Sequence, residues 1–532
     1  MLRRFVLCLL SLPLAAQIPF SQFVVFGDSL SDNGNLYIGT SLVGAAQPGP
    51  PLYATGEYTD GFNSVPSTTS PLGLWIEQLA TKMNLPVPKP FLSGGLNYAV
   101  SSALTGKNPA YSPTSLSVPW VTDQLGIFQS QHATLPANSI YVFWAGANDI
   151  LAGVSPTTVA ANIQGNIDTL ATAGAKYFLW LNLPLLGELP ESINTSNRSA
   201  LDAQTVAYQI AWTNSIAALY AAHPGITIVG VDVNDFFFAL GQNPSLYGFV
   251  NITSPAQGAS VNPNTYLFWD GLHPTTAGHA LVSNLAYNQL QYSFGGPALF
   301  GAANAASGAL NTVAPGMLTL LGGANIGPQT LVPGQLNPQT NTAATTLSST
   351  QVFFNNIAAP LFYVQNNQTV AVAPYEIAGL STVNISVVRN GVTSATQVAA
   401  VAPAAPGIFS ANSTGSGPGA IYNQDLTLNT SANPAAAGTI VVLFGTGEGQ
   451  TNPAGVDGMI AGSALPAPVL PVTVTIGGQT AQILYDGAIP GQVAGLFQIN
   501  ARVPSGLASG PQPVVVTVGT AASQAKLTVA VK

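Results

Sequence analysis

The chain has 532 residues, of which 47% are hydrophobic and only 6% charged, with a formal net charge of −8. Its 11 Lys and Arg residues form no basic cluster, which excludes a nucleic-acid-binding surface built on phosphate neutralisation. At about 100–200 residues per domain, two to four domains are expected.

The first element in chain order reads as an address. Arg3 and Arg4 precede an apolar run over residues 5–14, and Ala15 and Ala16 supply a small-residue cleavage site. The run is too short to span a bilayer. Residues 1–16 are therefore expected to be a signal peptide, and the protein to be secreted, extracellular or periplasmic. Cys8, the only cysteine, lies in this segment, in a pattern unlike a lipoprotein cleavage box. Cleavage would leave no thiol for a disulfide or a nucleophile. No later run reaches transmembrane length.

From about residue 18 to residue 298, strand and helix signals alternate. Short runs rich in aromatic and β-branched residues lie at 23–26, 140–144, 177–183 and 226–231. Helical spacing marks 72–83, 157–172, 200–222 and 276–290. The alternation predicts an α/β domain with a parallel sheet covered on both faces. An Ala- and Gly-rich stretch, 296–307, reads as the boundary. Beyond it helical periods vanish, and β-branched runs alternate with Gly, Pro and Asn. This predicts an all-β region of two sandwiches, 303–405 and 406–532. The stretch ending at Gly323 resembles the stretch ending at Gly445, and residues 352–363 resemble 474–485. Both pairs are offset by 122 residues (445 − 323), as a duplication requires.

The chemistry concentrates where strands end. Gly27-Asp28-Ser29-Leu30-Ser31-Asp32 follows the first strand, and in open α/β sheets ligands bind beyond the carboxyl ends of strands. A serine there needs a general base. Of the four histidines, His132 and His223 read as surface residues and His279 as packed within a helix. His273 stands in Asp270-Gly271-Leu272-His273-Pro274, with a carboxylate three residues earlier that can hold one imidazole nitrogen while the other faces the serine. Acyl transfer also needs donors aimed at the developing oxyanion, and Gly146-Ala147-Asn148-Asp149 offers the Asn148 amide. No Gly-x-Ser-x-Gly elbow occurs, and no His/Cys/Asp group has metal-ligand spacing. Neither a metal nor a cofactor is expected.

These blocks, with Asn97-Tyr98-Ala99-Val100-Ser101-Ser102-Ala103 between them, resemble in order those of the GDSL esterase/lipase family, or SGNH hydrolases. The resemblance covers about half the chain. It implies a three-layer α/β/α fold, Ser29 as nucleophile, His273 as base and Asp270 as its orienting partner. It further implies an oxyanion hole of the Ser29 and Ser102 backbone N–H groups and the Asn148 amide. Ser102 departs from the family, which usually carries Gly there. The substrate would be a small-molecule or lipid ester, with a leaning to the lipase and phospholipase-like branch. The loop 47–71 is a candidate for part of the substrate wall. The all-β region resembles, less specifically, bacterial immunoglobulin-like modules of IPT/TIG type, which would contact a glycan or a surface. Two other readings stay open. One is a carbohydrate deacetylase on the same fold. The other is a non-catalytic adhesin or binding protein, which cleavage of a chromogenic ester would exclude.

Overall fold

The computed structural model describes residues 18–60, 73–107, 118–463 and 465–532. The segment read as a signal peptide lies outside them. The chain divides into two compact units, an α/β unit over Gln17–Phe294 and a β unit from Gly295 to Lys532.

The α/β unit is built on four parallel strands in sequential order: β1 (Gln22–Gly27), β2 (Ser139–Trp144), β3 (Tyr177–Leu181) and β4 (Thr227–Val231). All four expected strands are present. Their runs are apolar on both faces because both faces are covered. On one face Val24, Phe26, Tyr141, Phe143, Phe178 and Trp180 pack with Leu125, Ile163 and Trp212. Those last three come from α3 (Val121–Gln131), α5 (Pro156–Thr172) and α6 (Arg198–Ala222). On the other face Trp75 of α2 (Trp75–Lys82) meets Trp144 edge-on at 5.4 Å, and α2 packs on α8 (Thr276–Ser293). Helix starts are chemically marked. Ser155 caps α5 by accepting from the Thr158 N–H ahead of Pro156, and Thr275 caps α8 by accepting from Gly278. The other α-helices of the unit among the described residues are α1 (Asn35–Ser41), α4 (Ala147–Leu151) and α7 (Val233–Gln242). No helix among the described residues is long and apolar enough to cross a membrane.

The strands are in register, Gln22 opposite Ser139 and Gly27 opposite Trp144, so their carboxyl ends share one edge. Gly27 is required there, because a Cβ would lie 2.4 Å from the Trp144 carbonyl oxygen.

The β unit consists of sandwich-like sheets in two similar halves, as two immunoglobulin-like modules would require. The strand Leu318–Ala324 corresponds to Ile440–Thr446, and Thr350–Phe354 to Val472–Ile476, each displaced by 122 (440 − 318; 472 − 350). Gly323 and Gly445 therefore fall at equivalent places. A register shift between Leu361 and Tyr363 recurs between Ile483 and Tyr485 at the same offset. Later in each half, Ser394 accepts from the Val387 N–H at 3.0 Å, and Ser523 accepts from the Val516 N–H at 3.0 Å. One difference from the sequence reading concerns the boundary. Residues 298–304, expected within a linker, form the strand Ala298–Asn304, paired with Leu318–Ala324. Their small side chains serve packing: Ala298, Ala302 and Ala303 are buried.

Candidate active site

Ser29 lies two residues beyond β1. Its Oγ is 2.8 Å from His273 Nε2, across 244 residues of sequence. His273 Nδ1 is 2.7 Å from Asp270 Oδ2. The other carboxylate oxygen, Oδ1, accepts from the backbone N–H groups of Leu272 (2.8 Å) and His273 (2.6 Å), which closes the turn and fixes the carboxylate. Burial raises the Asp270 pKa, but the hydrogen bond and charge of His273 and the two backbone donors outweigh it and hold it at about 2. Asp270 is therefore an anion at neutral pH, held against an imidazole whose far nitrogen faces a hydroxyl.

The loop carrying Ser29 is tied to the neighbouring blocks by its own side chains. Asp32 accepts from Gly34 and Asn35 through one oxygen, and from the Ser101 N–H and hydroxyl through the other, at 2.7–3.0 Å. Asn97 donates to the Ser31 carbonyl at 2.7 Å. Asp149, at the start of α4, takes both the N–H and the hydroxyl of Thr105. Burial pushes Asp149 up to about 6 and Asp28 up to about 7, even though Asp28 accepts from the Leu30 N–H and lies near the charge of His273.

The Asn148 side chain lines the cleft over Ser29 and donates one of its two N–H bonds to the Ala103 carbonyl at 3.0 Å. Ser102 sits in the left-handed region at φ +66°. Among the described residues, neither the Ser29 nor the Ser102 backbone N–H has a hydrogen-bond acceptor. Ser102 follows Ser101, which Asp32 ties to the Ser29 loop, and the cleft over Ser29 is walled mostly by apolar residues: Trp144, Leu183, Leu186, Phe237 and Phe268 contribute.

Two site residues escape a reading of the sequence. The Tyr53 hydroxyl donates to Asp270 Oδ2 at 2.9 Å, and the Tyr58 ring stacks on the His273 imidazole at 4.7 Å and 25°. Both belong to the loop expected to form substrate wall. Its described part clamps the histidine turn. Thr59 donates to the Pro274 carbonyl, and Asp60 accepts from the Thr276 N–H. Burial and a neighbouring carboxyl, Glu77, raise the Glu57 pKa well above its ordinary value. Residues 61–71 of that loop lie outside the described residues.

The other histidines stay away from Ser29. His279 is fully buried and pushed down to about 3 by desolvation and the charge of His273. His132 contacts the Tyr98 hydroxyl at 3.1 Å, and His223 pairs with Asp168 at 2.8 Å.

Residues 23–286 match the family model of the GDSL-like lipase/acylhydrolases. The chain is similar to a GDSL esterase/lipase of Arabidopsis thaliana, 24% identical over 336 residues that cover 50% of this chain and 85% of the relative. It is also similar to the thermolabile hemolysin of Vibrio parahaemolyticus, 26% identical over 288 residues, 49% of this chain and 62% of that one. Among solved structures it is similar to an inhibitor-bound aryl esterase of M. smegmatis, with 15% identity, a TM-score of 0.28, and coverage of 51% of this chain and 98% of the other.

Proposed function

Residues 23–286 form a GDSL-like lipase/acylhydrolase domain, and from that premise we propose that the protein is a secreted serine hydrolase cleaving carboxylic esters through an acyl-enzyme on Ser29. The observation that carries the proposal is the unbroken chain Asp270–His273–Ser29, with contacts of 2.7 and 2.8 Å. In this reading His273 Nε2 takes the Ser29 proton as Oγ attacks the ester carbonyl. Asp270 stabilises the imidazolium that forms. The carbonyl oxygen gains charge and is met by the Ser29 and Ser102 backbone N–H groups and by the Asn148 N–H that Ala103 leaves unused. The imidazolium then protonates the leaving alcohol, Ser29 stays acylated, and water activated by His273 releases the acid.

Secretion rests on the composition of residues 1–16. The modules of the β unit carry no part of this chemistry and are assigned to contact with a glycan or a surface.

The test is hydrolysis of p-nitrophenyl esters by purified protein, with Ser29→Ala as the control. Wild-type turnover that Ser29→Ala removes, with the melting transition retained, supports the reading. A folded wild-type protein that cleaves no ester of an acetate-to-palmitate series defeats it.

A further inference from the structure

The cleft over Ser29 does not end at the triad. Pro184, Leu189, Phe237 and Phe268 line it, and the same four residues line a second cavity of about 270 Å³. The first two follow β3, Phe237 belongs to α7, and Phe268 closes the strand Tyr266–Phe268 ahead of the histidine turn. Beyond this shared wall the second cavity is bounded by Phe238, Leu240, Ile252 and Leu267. Its acidic member, Glu188, is engaged by Arg198 through three hydrogen bonds of 2.7–3.1 Å. A mostly apolar chamber thus lies against the apolar cleft that holds the nucleophile, the two sharing one wall.

We propose that this second cavity is the acyl-chain subsite, and that it makes the protein selective for esters of medium-length or longer fatty acids over acetates. The inference rests on the ester-hydrolase reading and deepens it. The acyl half is the occupant because it remains bonded to Ser29 through both steps. The alcohol is protonated by His273 and must leave before water enters. A walled apolar chamber suits the part that stays, and offers an acetyl group nothing to bury. Phe237, half-buried, lines both spaces, so a chain reaching from one into the other must cross it. Each methylene that crosses it should raise kcat/KM by up to about fourfold, the ~0.8 kcal/mol of burying one CH₂.

The test varies acyl length at constant alcohol, p-nitrophenyl acetate through palmitate, and alcohol length at constant acetate. It compares wild type with Gly241→Phe. Gly241 lies on the wall of the second cavity, and a Cβ there would meet no atom within 4 Å, so the new ring can enter the chamber without displacing the helix. The wild type should prefer octanoate to acetate by about tenfold or more. Gly241→Phe should cut that octanoate-to-acetate ratio by about the same factor, a ratio that a uniform loss of active protein leaves untouched. Phe237→Ala should move the preferred acyl length upward. A wild type with a flat or acetate-first profile overturns the inference while leaving the hydrolase reading intact. So does a Gly241→Phe whose selectivity shifts along the alcohol series instead of the acyl series, or does not shift. A folded wild type cleaving neither series overturns the hydrolase reading, and this inference with it.

Discussion

The Tyr53 hydroxyl donates to Asp270 Oδ2, the same carboxylate oxygen that holds His273 Nδ1. The two donors, Tyr53 and His273, come from distant parts of the sequence and share one acceptor. Tyr53 therefore withdraws negative charge from the atom that makes His273 basic. Burial and the Asp270 charge raise the Tyr53 pKa, so the phenol keeps its proton and remains a donor.

Tyr53→Phe removes that donor and leaves the stacked Tyr58 in place. Asp270 then offers its full charge to the imidazolium, which becomes easier to form. The acid limb of the kcat/KM profile should move to higher pH, by about one unit if the bond contributes ~1.5 kcal/mol, the low end for a hydrogen bond to a charged group. A Tyr53 that only props up the loop would lower the plateau and leave the limb in place. The pH–rate profile of the variant separates the two.

Asn148→Ala tests the oxyanion site. A donor aimed at the carbonyl oxygen acts in the transition state more than in the ground state. Its loss should lower kcat by about 10²–10³-fold, with KM nearly unchanged. Asn148 also donates to the Ala103 carbonyl, so a modest drop in melting temperature should accompany the loss. Steady-state kinetics on one good ester, with a melting curve, check both. Equal losses in kcat and affinity would move Asn148 from the oxyanion site to substrate binding.

Much of this geometry was legible in the sequence. The four sheet strands announced themselves because strands buried on both faces must be continuously apolar. Asp270 and His273 were readable because a three-residue spacing lets one carboxylate serve the turn and the ring together. Tyr53 and Tyr58 were not readable. They stand in a Pro- and Gly-rich loop without periodicity, and their partners lie more than 200 residues away (270 − 53). The 298–304 strand was hidden for another reason. Its Ala and Gly residues match a linker in composition, while Ala298, Ala302 and Ala303 are in fact buried, and the paired strand approaches so closely that a Cβ on its Gly323 would lie 2.4 Å from the Ala298 carbonyl oxygen.

Ser102, at φ +66°, holds a conformation that glycine adopts at little cost. A left-handed residue with a Cβ is strained by about 1–2 kcal/mol, part of which Gly returns as extra freedom of the unfolded chain. Ser102→Gly should thus melt at the same temperature as wild type or slightly above it. If the backbone N–H is the working donor, both Ser102→Gly and Ser102→Ala should keep kcat within about twofold, far from the cost of losing an oxyanion donor. A loss in both variants as large as that in Asn148→Ala would assign the role to the hydroxyl.

The duplication supplies a test in the β unit. At the 122-residue offset, Glu448 occupies the place of Ile326 (448 − 326), and the preceding residues, Gly447 and Asn325, both have positive φ. Ile326 is fully buried in the first core, and Glu448 is 3% exposed. Burial pushes Glu448 up to about 8, against backbone hydrogen bonds that lower it. Its Oε2 has no hydrogen-bond partner among the described residues. A carboxyl whose folded pKa lies above its unfolded value of 4.5 holds a proton that the unfolded chain has released. Its contribution is complete below pH 4.5 and is lost as pH rises toward about 8. Glu448→Gln keeps the shape and removes the titration. The variant should gain on the wild type steadily across that window, by several kcal/mol in total at about 1.4 kcal/mol per pH unit, and the gap should level off above it. Melting temperatures of the two proteins from pH 5 to pH 9 measure the effect, and a constant difference across that range would place the Glu448 charge in contact with water.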